Sequence, residues 1–136
     1  MTVSVTADIS QPYRQTITAR NHTWYADTTT GGAQDTAPTP GEMLLGALGA
    51  CTAMTIQDYA KQKGLNVTAI KVDVSDTLVP SATGTGKVPH INKDIEIKGS
   101  LTATEKADLE KKAGNCHVNR VITKGRGTTG NFNYVV

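Results

Sequence analysis

The sequence predicts an α+β fold, and three observations carry that prediction. A long uncharged run with helical character, Met43 to Gln57, sits before the middle of the chain. Segments with strict polar/apolar alternation lie on both sides of it. Gly, Pro and Asn clusters separate these segments at the spacing of turns. At 136 residues the chain is read as one domain, 1–136. That length can bury a real core without disulfide staples. With one Trp, one Phe and four Tyr, the core has to be aliphatic and built from small residues.

Thr2 to Ser10 alternates, with Val3, Val5, Ala7 and Ile9 on one face, and predicts a half-buried strand. "SQP" turns the chain into a second strand, Tyr13 to Ala19, whose faces carry Arg14, Thr16 and Thr18 against Gln15, Ile17 and Ala19. "RNH" is a hairpin turn and "TWYAD" a third strand, so an antiparallel meander is expected. A Thr, Gly and Pro-rich loop then leads to Pro40. From there a helix is expected over Gly41 to Lys63, ended by Gly64.

The first half of this helix is apolar on every side, which predicts burial on every side. Gly46, Ala47, Gly49, Ala50 and Ala53 have almost no bulk and invite close backbone approach. Asn66 to Leu78 alternates Ile70, Val72 and Val74 with Lys71, Asp73 and Ser75 as a fourth strand. "VPSATGTGKVPHINK" is expected to be a flexible hairpin loop before a short strand, Asp94 to Lys98. Thr102 and Glu105 form a capping-box pattern ahead of "KADLEKKA". "GNCHVNRVI" restarts as a short helix, and "NFNYVV" is expected to end the chain as a strand. One meander and one small second helix cannot cover a helix that is apolar all round. A two-fold dimer burying the central helices is therefore expected; a monomer whose two sheets suffice is the alternative.

Several function classes are disfavoured. The formal net charge is +2 with scattered basic residues, which argues against nucleic-acid binding. No stretch has the length or apolarity of a membrane span, and the N-terminus has no signal-peptide h-region. A cytoplasmic protein is expected, in which two cysteines do not form a permanent structural bridge. Cys116 and His117 are adjacent, while His22 and His90 lie elsewhere, so no zinc spacing exists and no metal or other cofactor is expected. "TGTGK" lacks the context of a phosphate loop.

Cys51 lies inside the uncharged helix and Cys116 just after another, 65 positions apart in sequence and with no CxxC motif. Spacing alone favours two inert core thiols. A reactive reading needs a cation to favour the thiolate, and Arg14, Arg20 and Arg120 are the candidates. Glu42 stands at the entry of the buried helix. It either favours the helix N-terminus or clamps an arginine in a fork-like pair.

"PGEMLLGALGACTAMT", Pro40 to Thr55, followed by "YAKQKG" and a Val-rich strand, resembles the OsmC/Ohr family of osmotically inducible and organic hydroperoxide resistance proteins. "NCHVNRVI" is similar to that family's second-cysteine segment, with His117 in place of a proline, Asn119 in place of a histidine, and Arg120 retained. The resemblance implies antiparallel sheets packed on a buried central helix in an intertwined homodimer. It implies Cys51 as peroxidatic and Cys116 as resolving cysteine, Arg14 as the activating arginine with Arg20 in reserve, and Glu42 as its carboxylate partner. In the hydroperoxide-resistance branch that carboxylate stands one position earlier, at Gly41 here, so the match is to the OsmC-like branch. The implied activity is reduction of organic hydroperoxides without metal or flavin, with a dithiol such as a lipoyl group as reductant. The alternatives are a dimer that binds a small apolar ligand and a structural stress-response dimer, each with incidental cysteines.

Overall fold

The computed structural model describes residues 1–135. The chain divides into two compact units, Met1 to Gly46 and Ala47 onward. The first unit holds an antiparallel sheet in the order β1-β2-β3, formed by β1 (Ser4–Ala7), β2 (Gln15–Ala19) and β3 (His22–Ala26). This is the expected meander. Arg20 takes a positive φ of 53° in the two-residue turn between β2 and β3, where Ile17 pairs with Trp24. Ile17 and Ala26 are buried, whereas all four residues of β1 are exposed. The expectation of a half-buried first strand therefore fails for the single chain: the alternation is present, but among the described residues Val3 and Val5 stay exposed.

Helix α1 runs over Pro40–Lys63. Its start is a capping box that alternation did not reveal. Thr39 Oγ1 accepts the Glu42 N–H at 3.2 Å, and the Glu42 carboxylate accepts the Thr39 N–H at 3.0 Å. Its end is the expected glycine. Gly64 has φ 62°, its N–H donates to the Lys61 carbonyl, and the Leu65 N–H donates to the Ala60 carbonyl. These two bonds form the Schellman closure that a left-handed residue permits.

The second unit pairs β4 (Asn66–Pro80) with β5 (Lys87–Ser100) in a long antiparallel ladder. The expected flexible loop is confined to residues 81–86, because Val88 to Lys93 continue the strand. The two prolines at this end are tolerated because each strand of a two-stranded sheet is an edge, where a missing N–H can face outward. Helix α2 (Ala103–Ala113) begins with the expected Thr102/Glu105 capping box, and α3 (His117–Lys124) follows with Cys116 as its N-cap. Residues 131–135 carry no regular structure, contrary to the strand expected of "NFNYVV"; its last residue lies outside the described residues.

The core of this unit is Ile56, Leu109 and Ala113, with Leu65, Val67, Ile70, Ile97 and Leu101 packed around them. It joins α1, α2 and one face of the ladder. A Cβ built on Gly49 would lie 3.2 Å from Val74 Cγ2, so the glycine sets how closely α1 approaches β4. Burial of α1 follows one stripe, Leu48, Gly49, Thr52, Ile56 and Ala60. Leu44 and Met54 on other faces are 51% and 67% exposed. In the single chain the helix is thus covered on one side, not on all sides.

Candidate functional site

The second unit brings together the two cysteines that lie far apart in sequence. Cys51 sits on α1 at the edge of the buried stripe and is half-buried. It opens onto a cavity of 540 Å³ with Ala47, Ala50, Met54, Thr55, Asp58 and Asn115 in its wall. Cys116 is 1% exposed, and the Cys51 side chain lies near enough to it to affect its ionisation. Both thiols are free.

Two hydrogen bonds and two further groups act on the Cys116 sulfur. As N-cap of α3, with φ −83° and ψ 144°, it accepts the Asn119 N–H at 3.2 Å. The Thr52 hydroxyl, on a residue with no exposed surface, lies 3.9 Å away in a hydrogen bond. Cys51 and the Lys93 ammonium also favour the ionised form of Cys116. Burial pushes the Cys116 thiol up; the Asn119 N–H, the Cys51 and Thr52 side chains and the Lys93 charge outweigh it. Cys116 therefore ionises below the ordinary thiol value.

Sequence reasoning sought an arginine to favour the Cys51 thiolate and did not consider a cation for Cys116, so it missed Lys93. The signal was there in register form. Lys93 pairs with Val74 on the half-buried face of the ladder, a position its alternation with Ile91 and Ile95 marks as inward. Thr52 carried no signal in sequence, being one more small residue of an apolar run. Arg120 is exposed, and its contact with Cys116 is a backbone one, its N–H donating to the Cys116 carbonyl at 3.1 Å.

Arg14 and Glu42 lie in the first unit. Arg14 donates to Thr36 Oγ1 at 2.6 Å and stacks over the Tyr25 ring at 4.1 Å from its centroid. Thr36 Oγ1 in turn donates to Asp27 at 2.7 Å. Asp27, buried at the end of β3, also accepts the N–H groups of Thr36 and Thr28 at 3.0 and 2.8 Å. The guanidinium is thus held through a hydroxyl by a buried carboxylate, a network the sequence reading did not identify. Glu42 is engaged by Thr39 in the α1 cap, and among the described residues no ion pair joins it to Arg14. Arg20 occupies the β2–β3 turn.

The Asp27 network yields a stability prediction with a definite sign. The Thr36 hydroxyl, the Thr36 and Thr28 N–H groups and the Arg14 charge hold the Asp27 carboxyl below its ordinary value, against the opposing effect of burial. A depressed folded value stabilises the fold above the unfolded carboxylate value of about 3.9 and loses that stabilisation as pH falls through the folded value. Asp27→Asn sets an amide donor against the Thr36 N–H. Its melting temperature should fall below wild type at pH 7, and the gap should narrow below about pH 4. A gap independent of pH in thermal scans would remove the ionic account.

Among the described residues no cluster of His, Cys, Asp and Glu could hold a metal ion, and no helix is long and apolar enough to cross a membrane.

Comparison with known proteins places this architecture. The model of a family described as OsmC-like protein matches residues 31–129, and the chain belongs to that family. Three solved structures share its fold. An OsmC-like protein of Mycoplasma pneumoniae is 16% identical with a TM-score of 0.72, over 90% of this chain and 86% of that one. The organic hydroperoxide resistance protein OsmC of Legionella pneumophila is 15% identical with a TM-score of 0.63, over 89% and 87%. The organic hydroperoxide resistance protein OhrB of Bacillus subtilis is 14% identical with a TM-score of 0.60, over 88% and 87%. A search of curated protein sequences finds no match.

Proposed function

We propose that this chain is a thiol-dependent peroxidase that reduces organic hydroperoxides to alcohols. The observation that carries the reading is the juxtaposition of two free cysteines, one lining an open cavity and the other buried. The hydroperoxide-resistance names of two structural neighbours lend it support. In this reading the Cys51 thiolate attacks the outer oxygen of the hydroperoxide. The O–O bond breaks, the alkoxide leaves and takes a proton to become the alcohol, and Cys51 becomes a sulfenic acid. The Cys116 thiolate then attacks the Cys51 sulfur, expels hydroxide and closes a disulfide. A dithiol restores both thiols by exchange.

Arg14 enters the proposal as the cation that favours the Cys51 thiolate, and Glu42 as its carboxylate partner. Met54 in the cavity wall, with Leu44 on the same helix, favours an alkyl over a bare hydrogen peroxide. We include in the proposal a homodimer in which a second copy covers the exposed apolar side of α1. The test is a single turnover without reductant. Wild type treated with one equivalent of an alkyl hydroperoxide should lose two hydrogens in mass and both free thiols. Cys116→Ser should instead retain a sulfenic acid on Cys51 that dimedone traps. Absence of the disulfide in the first case and of the adduct in the second would discard the peroxidase reading.

A further inference from the structure

We propose that the Cys51–Cys116 disulfide is opened from the Cys51 side, with Cys116 as the departing sulfur and the buried Thr52 hydroxyl as its positioning group. The inference rests on the reading above that the two cysteines form a disulfide. It adds a direction to the reductive half of the cycle and a role for a residue outside the cysteine pair.

Access and leaving-group stability point to the same sulfur. An incoming thiolate must approach in line with the S–S bond. Cys51 faces the 540 Å³ cavity, while Cys116 is 1% exposed, so the bond can be approached at Cys51. The sulfur that leaves carries the electron pair of the broken bond, and a better stabilised thiolate leaves faster. Cys116 accepts the Asn119 N–H at 3.2 Å, has the Thr52 hydroxyl at 3.9 Å and has Lys93 nearby. Once Cys116 departs as an anion it has no proton, so in the Thr52 bond the hydroxyl has to be the donor. Among the described residues no backbone N–H or hydroxyl is hydrogen-bonded to the Cys51 sulfur. Thr55, its neighbour one turn on, spends its hydroxyl on the Cys51 carbonyl at 2.8 Å and not on the sulfur.

The step balances. The first thiolate of the reductant bonds to Cys51 Sγ, the Sγ–Sγ bond breaks, and Cys116 leaves as thiolate. The second thiolate of the reductant attacks its own sulfur in that mixed disulfide. A cyclic disulfide of the reductant forms and the Cys51 thiolate is released. Two electrons pass from the dithiol to the protein.

The experiment makes the disulfide with diamide, so it does not depend on peroxide turnover. The oxidised wild-type protein is treated briefly with 2-mercaptoethanol, quenched in acid, blocked with a maleimide and mapped by peptide mass spectrometry. Mercaptoethanol on Cys51 and maleimide on Cys116 is the expected result. The reverse pattern, or failure of diamide to form the disulfide, overturns the proposal. For Thr52, Thr52→Val should slow the exchange roughly tenfold, the loss expected for one hydrogen bond to a developing charge, and Thr52→Ser should restore it. In a Cys51→Ser background, Thr52→Val should also raise the midpoint of thiolate absorbance of Cys116 and Thr52→Ser should not. An unchanged exchange rate and midpoint in Thr52→Val overturns the role of the hydroxyl. Loss of hydroperoxide turnover with the expected mapping would remove the peroxidase reading alone.

Discussion

Cys51→Ser is expected to reduce steady-state turnover of an alkyl hydroperoxide with a dithiol by roughly a thousandfold or more, to the uncatalysed background. A serine hydroxyl is far less acidic than a thiol, and an alcohol is a poor nucleophile toward peroxide oxygen. Cys116→Ser should behave differently. It keeps the attacking sulfur, so the first equivalent of hydroperoxide is still consumed, but the sulfenic acid has no partner and the steady state collapses. Both variants are close in size to the native side chain and should fold. The pair is read out by coupled peroxide consumption and by a rapid-quench first turnover. Wild-type turnover in Cys51→Ser would show that the cysteines are incidental.

Gly99→Ala should be among the most destabilising single substitutions in the chain. Gly99 lies on β5 with φ 144°, opposite Val67, where the ladder slips register between Val67 and Ala69. A Cβ built there collides with the Asn66 carbonyl oxygen and lies 2.9 Å from the Asn66 carbonyl carbon and 3.0 Å from Val67 Cα. All three atoms are backbone, so no side-chain rotation relieves the clash. Overpacking and a disallowed φ together cost about 3–5 kcal/mol. Gly84→Ala is the control. It also has positive φ, 81°, but nothing within 4 Å of the added carbon, so only the conformational cost of about 1–2 kcal/mol applies. Urea unfolding of both variants gives the comparison. A Gly99→Ala midpoint equal to that of Gly84→Ala would refute the steric account.

The features legible in the sequence were those set by neighbours within a few residues. The Thr102/Glu105 box, the Gly64 stop and the alternation of Ile70, Val72 and Val74 all act within one turn or one strand. Gly99 was invisible because its requirement comes from a strand more than thirty residues earlier. Pro80 and Pro89 were misleading in the opposite sense. Both normally break strands, yet here Pro89 pairs with Leu78 and Pro80 with Lys87 at the turn end of a two-stranded ladder. The site divides in the same way. The family motifs pointed to Cys51 and Cys116, but the groups around Cys116 arrive from α1, β5 and α3. Only the tertiary arrangement brings Thr52 and Lys93 to that sulfur. The fully buried apolar helix was an inference from hydropathy that a single chain does not satisfy, since Leu44 and Met54 remain in water.

The long β4–β5 hairpin and α2 stand between the two thiols in the order of synthesis. At about 5–20 residues per second, the 65 positions from Cys51 to Cys116 take a ribosome about 3–13 s. For that interval the nascent chain carries the first thiol without the second. On the proposed peroxidase reading, an oxidant reaching it then meets no resolving partner, and redox competence waits for translation through α3.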